Sequence, residues 1–541
     1  MAQPAKSKAA KRTEAARDTA GKKPALPYTG KEFLDSLDDG REVWIYGERV
    51  KNITAHPAFQ NCARMLARLY DALHEDHRSG ANVLTEPTEW GGFTHRYFRA
   101  PTTVEEQVAG RDAIAAWARI TYGWLGRSPD YKAAFLGTLG ANAEFYAPYQ
   151  DNARRWYRFS QERVPFINHA IIHPPVDRNL APGAPGGPTD ICAHVTKETD
   201  AGIYVSGAKV VATSSALTHY NFLGQNAAVP THDTDLAVMF IAPMNAPGVK
   251  LVCRASYEMM ASVMGTPFDY PLSSRFDEND AIFVFDNAFV PWEDVLLHRD
   301  LEKLKTFFPQ SGFLAGYQFQ GCTRLAVKLD FLVCIIAKAL RTTGADEFRG
   351  NQAMLGEVIA WRNLFWALTD AMAAKPTPWV DGAVLPNVQS GSSYRVFAGD
   401  AYGRVKEIVE KIIASALIYL PSSAKDFKNP EIDKYLAKYV RGSHGIGYKE
   451  RIKVMKLLWD AIGTEFGGRH ELYEMNYAGN HEDIRIQAMW NARTSGTLDG
   501  MIALAEQCLA DYDENGWRDA AWLDPDDVAY PGLAGVKRAA E

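Results

Sequence analysis

The hydrophobic period of this chain changes twice, and that change limits its architecture more than any single motif. From Tyr28 to about Pro165 apolar residues recur at helical steps; Ile114, Trp117, Ile120 and Trp124 mark one face of a helix. Between about Phe166 and His298 short apolar runs follow one another, each bounded by Pro, Gly, Asn or Asp. "ICAHVTKETDAGIYVSGAKVVAT" reads as two strands joined by a polar turn at Thr199 to Gly202, then a third, and "LAVMFIAPM", "VKLVCRAS" and "AIFVFDNAFV" continue the pattern. Strands at this spacing, with no helices between them, predict an antiparallel sheet or barrel and argue against a doubly wound fold. After Arg299 long helices return. "CTRLAVKLDFLVCIIAKAL" is apolar almost all round, as in a helix buried inside a bundle, and four further helical segments follow. The expected fold class is α+β, mainly α: a helical domain over 28–165, a β domain over 166–299 and a helical bundle with a tail over 300–541. Residues 1–27, rich in Ala and Lys, have too little to bury and read as a disordered basic tail.

Composition narrows the partners. A formal net charge of -6 argues against nucleic acid, whose phosphates call for a basic face. No apolar run reaches the roughly eighteen residues of a membrane span, and no apolar signal segment is present, so a cytoplasmic protein is expected. The six cysteines (Cys62, Cys192, Cys253, Cys322, Cys334 and Cys508) form no CxxC pair, which suits reduced thiols. The histidines show no HExxH spacing, and no metal is expected.

No nucleotide-binding glycine loop stands out. "GAPGGP" (Gly183 to Pro188) is broken by proline, "GTLGANA" continues a helix, and a GxSxG elbow is missing. A redox enzyme with this sequence would not bind its own nicotinamide. Four polar stretches nevertheless look out of place. "GWLGRSPDYKAAF" sets Arg127, Ser128, Asp130 and Tyr131 on one turn between Trp124 and Phe135, an apolar flank that charges tolerate only with partners. Asp130 there reads as a turn or helix N-cap residue. "INHAIIHPPVDR" puts Asn168, His169, His173, Asp177 and Arg178 at the entry to the β region; "VVATSSALTHYN" ends a strand in hydroxyls; "FGGRHELYEMNYAGNHED" breaks a helix with paired glycines. Each alone has a structural explanation.

Taken in order, GRSPDY, NHA with HPPVDR, ATSSAL, PFDYPLSSR (Pro267 to Arg275), VPWEDV (Val290 to Val295) and FGGRHELYE resemble the 4-hydroxyphenylacetate 3-monooxygenase family. These are the oxygenase components of two-component, reduced-flavin-dependent phenol hydroxylases. "TGKEFLDSLDDGREVWIYGERVKNITAHPAF" is similar to the family's opening, and the likeness runs from about Thr29 to Asp511. The resemblance implies an acyl-CoA dehydrogenase-like fold with a middle antiparallel β-barrel, a homotetramer, and FAD taken as FADH2 from a separate NAD(P)H:flavin reductase. It implies insertion of one atom of O2 beside a phenolic hydroxyl, through a flavin C4a-hydroperoxide, to give a catechol. At the phenolic substrate it places Arg127, Ser128, Tyr131, His169, Gln225 and Asn226, with Arg127, Tyr131 and His169 catalytic. Arg127 would stabilise phenolate charge, Tyr131 would donate a hydrogen bond, and His169 would accept or relay the proton. At the flavin it places His169, Ala170, Ile171, Pro175, Val176, Asp177, Arg178, Thr213, Asn480, His481, Glu482 and Asp483. Arg178 suits an anionic reduced flavin; a salt bridge with Asp177 is its plain alternative. The stretch Phe307 to Thr323 is expected to shape the substrate site.

Two other functions stay open: a lyase like 4-hydroxybutyryl-CoA dehydratase, and a flavin-binding scaffold without chemistry. The first needs converging thiolates for an iron–sulfur cluster, which no close cysteine spacing supports. Against the second stand Arg127, Tyr131, His169 and Thr213 themselves.

Overall fold

The computed structural model describes residues 24–225, 233–514 and 516–518, so Asn226 and most of the 1–27 tail lie outside the described residues. The chain divides into two units, residues 1–479 and 480–541. The first opens with α1 (Gly30–Ser36), whose start is the capping box of Thr29 and Glu32. There follow β1 (Glu42–Ile45), β2 (Glu48–Arg49), α2 (Gln60–Ser79), β3 (Thr85–Pro87), β4 (Phe93–His95), α3 (Val104–Ile120), α4 (Pro129–Leu136), α5 (Thr138–Ala141) and α6 (Gln150–Arg163). The middle of the chain supplies β5 (Ile167–Ala170), β6 (His194–Thr199), β7 (Gly202–Lys209), β8 (Tyr220–Leu223), β9 (Val238–Pro243), β10 (Val249–Cys253), α7 (Tyr257–Met264), β11 (Ala281–Pro291) and β12 (Val295–His298). Helices α8 (Leu301–Gln310), α9 (Phe313–Thr343), α10 (Arg349–Ala374), α11 (Val388–Ile413), α12 (Pro430–Tyr439), α13 (Tyr448–Ile462) and α14 (Glu465–Asn476) complete the unit. The second unit holds α15 (His481–Thr494), α16 (Thr497–Ala510) and a short hairpin pairing Tyr512–Asp513 with Gly516–Trp517.

The fold class is the expected one, α+β and mainly α, but the sheets differ from the expected antiparallel barrel. Among the described residues there are two main sheets and no closed barrel: six strands in the order β2-β1-β10-β11-β7-β6, and four in the order β12-β9-β8-β5. Two pairings are parallel, β1 with β10 and β5 with β8. Strand periodicity reports local hairpins such as β6–β7, and it cannot see a strand that arrives from far along the chain. The β1–β2 hairpin turns at Tyr46 and Gly47, both at positive φ (53° and 79°), and adds its strands to the middle sheet. A helix, α7, does interrupt the strand run, between β10 and β11.

Helix α9 is buried on every side over its first half, as its apolar sequence requires, yet it carries Gln318, Gln320, Thr323, Arg324 and Lys328 inward with it. The turn before α4 is fitted against this helix. Gly123 sits at φ 75°, and a Cβ there would lie 2.7 Å from the backbone nitrogen of Lys328; a Cβ on Gly126 would fall on the Tyr473 hydroxyl. Trp124 is fully buried, at 4.9 Å edge-on to His470 and 5.5 Å from Phe466. The two glycines and the indole thus press the following residues, Arg127 to Lys132, between α9 and α14.

Candidate active site

Pro129 occupies the first turn of α4, where its missing N–H costs nothing, and Ser128 stands at the N-cap position with extended backbone. Asp130, expected as a cap, lies one residue inside the helix. It accepts from the Ser128 hydroxyl, so Ser128 is a buried partner of Asp130 and makes no side-chain cap. Burial pushes the Asp130 carboxyl up to about 6. All eight residues of α4 are buried, which is why Tyr131 and Lys132 point into protein whichever way they turn.

Tyr131 and His169 come together as expected: the phenol oxygen lies 3.4 Å from His169 Nδ1 and the rings 5.5 Å apart. The Arg127 guanidinium stands 4.1 Å from the Tyr131 ring centre, 5.3 Å from Tyr477 and 5.6 Å from Tyr473. One of its terminal nitrogens is buried without a hydrogen-bond partner among the described residues. Its backbone N–H donates to Glu278 Oε1 at 2.5 Å, which fixes the turn. A cation caged by three phenols, with a terminal NH2 group left unpartnered, is complementary to an oxygen that carries negative charge.

Several residues that matter here escaped the sequence reading. Lys132 is 0% exposed and its Nζ lies 2.6 Å from His169 Nδ1 and 4.0 Å from the Phe313 ring. Burial, and beside it the permanent charge of Arg127, hold His169 well below the usual imidazole range. Tyr473 and Tyr477, four residues apart on one helical face, come from a motif already singled out for its glycines. Their spacing was the available signal; that Arg127 faces them was not. Phe313 and Tyr317 from the Phe307–Thr323 stretch stand beside the cluster, with Phe313 6.2 Å from the His169 ring and Tyr317 5.9 Å from Tyr477.

Behind the tyrosines, Glu474 accepts from Arg324 Nη2 and Lys328 Nζ, each at 2.9 Å, and all three side chains are buried. Burial alone would raise the Glu474 carboxyl, but Arg324 and Lys328 hold it at about 2. Burial lowers Lys328 to about 8 against the pull of Glu474. The triad anchors α14 to α9 and so fixes Tyr473 and Tyr477.

A second polar group lies alongside. Asn168 Nδ2 donates to the Thr213 carbonyl at 2.9 Å, and the Asn168 Oδ1 is buried without a partner among the described residues. Thr213 Oγ1 donates to Asp280 Oδ1 at 2.6 Å, and Asp280 also receives Arg254 Nε at 2.9 Å and Arg469 Nη2 at 2.8 Å. Although burial opposes it, Arg469 and Arg254 keep the Asp280 carboxyl below the ordinary range. Val211 and Ser214, either side of Thr213, both sit at positive φ (58° and 60°), a conformation a β-branched residue adopts only under constraint.

The remaining expected residues are placed as follows. Ala170 is buried and Ile171 half-buried, whereas Pro175, Val176, Asp177 and Arg178 are exposed. Asp177 accepts from Asn179 N at 2.8 Å, and no ion pair joins Asp177 to Arg178 among the described residues. Gln225 is engaged at both ends, by Lys209 Nζ (2.7 Å) and by the Leu236 carbonyl (2.7 Å). His169 and His173, four residues apart, serve different neighbours: His173 Nε2 lies 3.5 Å from Lys209, and burial lowers its pKa to about 3. In the second unit Asn480 caps α15 by accepting from Glu482 N and Asp483 N, so His481, Glu482 and Asp483 form that helix's first turn. Among the described residues no group of three or more His, Cys, Asp or Glu is arranged to hold a metal ion.

Comparison with known proteins agrees with this geometry. The family described as 4-hydroxyphenylacetate 3-hydroxylase matches in both its N-terminal part, over residues 29–297, and its C-terminal part, over residues 304–506. A 4-hydroxyphenylacetate 3-monooxygenase oxygenase component of Pseudomonas aeruginosa is 56% identical, covering 93% of this chain and 96% of that protein. The oxygenase component of a 4-nitrophenol 2-monooxygenase from a Rhodococcus species is 53% identical, with coverage of 93% and 96%. The crystal structure of a 4-hydroxyphenylacetate 3-monooxygenase oxygenase component complexed with FAD and 4-hydroxyphenylacetate superposes with a TM-score of 0.82 at 30% identity, covering 89% of this chain and 99% of that one. Six ordered motifs, the arrangement of helices around two sheets and a match over most of the length converge: this chain belongs to the 4-hydroxyphenylacetate 3-hydroxylase family.

Proposed function

We propose that this protein is the oxygenase component of a two-component monooxygenase that hydroxylates a phenol beside its hydroxyl, giving a catechol. The observation that carries the reading is the Arg127 guanidinium, caged by Tyr131, Tyr473 and Tyr477 and left with a buried, unpartnered terminal NH2 group, while the Tyr131 hydroxyl lies 3.4 Å from His169. A phenol gains nucleophilicity at its ring carbons as its hydroxyl loses a proton, and a fixed cation favours that loss. Arg127 binds the phenolic oxygen, Tyr131 donates to it, and His169 takes its proton. The names of relatives, which cover 4-hydroxyphenylacetate and 4-nitrophenol, support a para-substituted phenol. The aromatic walls, Phe313 and Tyr317 among them, keep water from the reacting edge.

The residues present suit FAD. A flavin ring edge offers both donors and acceptors, and the buried, unpartnered Oδ1 atoms of Asn168 and Asn279 and Nδ1 of His173 lie in segments 168–173 and 279 that flank Thr213 and Asp280. The flavin would be held by His169 to Ile171, Pro175 to Arg178 and Thr213, with Arg178 a cation for the reduced ring. Reduced FAD, when bound, would supply the electrons that activate O2, the source of the inserted oxygen. The name "oxygenase component" borne by the relatives supports a separate NAD(P)H:flavin reductase that delivers FADH2. A homotetramer is supported by exposed apolar side chains on α16, Met501, Ile502, Leu504 and Leu509. No helix among the described residues is long and apolar enough to cross a membrane, and we assign the protein to the cytoplasm.

The test supplies a flavin reductase, NADH, FAD and a panel of phenols, with catechols followed by chromatography. Catechol formation is expected; reduced flavin consumed with hydrogen peroxide alone across the panel overturns the reading.

A further inference from the structure

The surroundings of Lys132 are unusual for a lysine. Its side chain is 0% exposed, and among the described residues no carboxylate stands within ion-pair distance of it. Phe313 and Phe222 face its Nζ at 4.0 and 5.9 Å, and the Tyr131 ring at 4.7 Å. The charged and titratable groups around it are Arg127 and Tyr131 from the turn and α4, Asp130 on its own helix (bonded to Ser128), and His169 from β5; β8 and α9 face its Nζ with Phe222 and Phe313, and Tyr317 of α9 stands behind Phe313 at 5.6 Å. An ammonium placed in such a setting, beside a permanent guanidinium, loses most of its hydration and gains no counter-charge. The neutral amine is therefore the resting form, and burial and Arg127 push its pKa in that direction.

A neutral amine carries a lone pair. At 2.6 Å, Nζ accepts the Nδ1 hydrogen of His169, and this tautomer leaves His169 Nε2 without a hydrogen. That nitrogen makes no hydrogen bond among the described residues, so it is free to receive a proton. We propose that Lys132, a positioning residue acting through His169, sets this tautomer and is the final acceptor of the proton that a bound phenol gives up, so that the ligand is held as phenolate. The inference rests on the phenol reading above. The transfer balances within the site: the phenolic O–H breaks and its proton joins His169 Nε2, while the Nδ1 proton moves to Lys132 Nζ. Phenol and amine become phenolate and ammonium, the imidazole ends neutral, and the site's total charge is unchanged. No proton need pass to solvent.

The test uses 4-nitrophenol, whose absorption changes on ionisation, titrated into the full-length flavin-free protein and its Lys132→Met and Lys132→Arg variants, in weak buffer with a pH indicator. In the wild type the ligand is expected to bind as nitrophenolate below its free pKa, with no proton released. In Lys132→Met its apparent pKa in the site is expected to rise by at least about one unit, a tenfold change. Lys132→Arg introduces a permanent cation that cannot accept a proton, so the ligand should bind as phenolate with release of a proton for each ligand bound. A residue that only filled space would leave the ionisation of the bound ligand the same in wild type and Lys132→Met. Proton release by the wild type, or identical ionisation in wild type and Lys132→Met, overturns the role of Lys132 while leaving the phenol reading intact. Failure of 4-nitrophenol to bind, or binding indifferent to Arg127→Met, overturns both.

Discussion

Replacing Arg127 by methionine removes the guanidinium and leaves an unbranched apolar chain in its place. The backbone bond from Arg127 N to Glu278 does not depend on the side chain and should survive, so the turn keeps its position. The cation lies 4.1 Å from the Tyr131 ring and within 5.6 Å of Tyr473 and Tyr477. A phenolate oxygen held about 4 Å from it would gain roughly 4 kcal/mol at an effective dielectric constant of ~20. A charge-assisted hydrogen bond measured by mutation amounts to about 1.5–3 kcal/mol, and a transition-state donor to about 3–4 kcal/mol. About 3 kcal/mol corresponds to a loss in kcat/KM on phenols of about a hundredfold or somewhat more. Loss of the cation–π contacts should lower stability by only about 1–2 kcal/mol. Turnover is measured with excess reductase, NADH and FAD by quantifying catechol; affinity for reduced FAD is titrated anaerobically by its absorbance. FADH2 affinity should stay within a small factor of wild type, and Arg127→Lys should recover part of the turnover because it restores charge without the planar fork. Equal losses in phenol turnover and flavin affinity would refute the reasoning, since the cation would then serve the other ligand.

Glu474→Gln leaves Arg324 and Lys328 as buried cations without an acid and should cost about 3–5 kcal/mol, seen as a lower midpoint of thermal inactivation. Because Lys328 already titrates near 8, raising the pH should relieve part of that loss. In the wild type the depressed Glu474 carboxyl contributes stability that is present above its unfolded pKa and disappears as pH falls towards about 2; the variant should lack that acid limb. Lys209 works the other way. With a folded pKa of about 7, its burial is least favourable at and below neutrality, and stability should climb with pH by about 1.4 kcal/mol per unit from there towards the unfolded value of about 10.4. Lys209→Met should flatten that rise in denaturant titrations at stepped pH. Asp280→Asn weakens the acceptor shared by Thr213, Arg254 and Arg469, and should reduce FADH2 affinity about tenfold or more while phenol ionisation in the site stays the same.

The order of helical, β and helical segments was readable because hydrophobic period is a local property. The β6–β7 hairpin illustrates this: a polar turn expected at Thr199 to Gly202 is where one strand ends and the next begins. The β1–β2 hairpin was hidden by its short length inside a helical region, and its parallel pairing with β10 rests on contacts between residues some two hundred positions apart. The same division runs through the site. The stretches GRSPDY and INHA could be singled out because charges and histidines sat against apolar flanks, and the structure does bring Arg127, Tyr131 and His169 together. Lys132 stood in the same stretch and drew no notice, since one lysine on a helix is ordinarily solvated.

What this chain determined by sequence alone was therefore its inventory: which segments can be helix or strand, and which polar residues lack an obvious place at the surface. Tertiary structure decided what each buried charge sees. Lys132 meets an imidazole from 37 residues away and no acid, whereas Lys328 meets Glu474 from 146 residues away. The protonation state of a buried group follows from the few atoms across from it in a medium that screens poorly, and chain neighbours carry no record of those atoms.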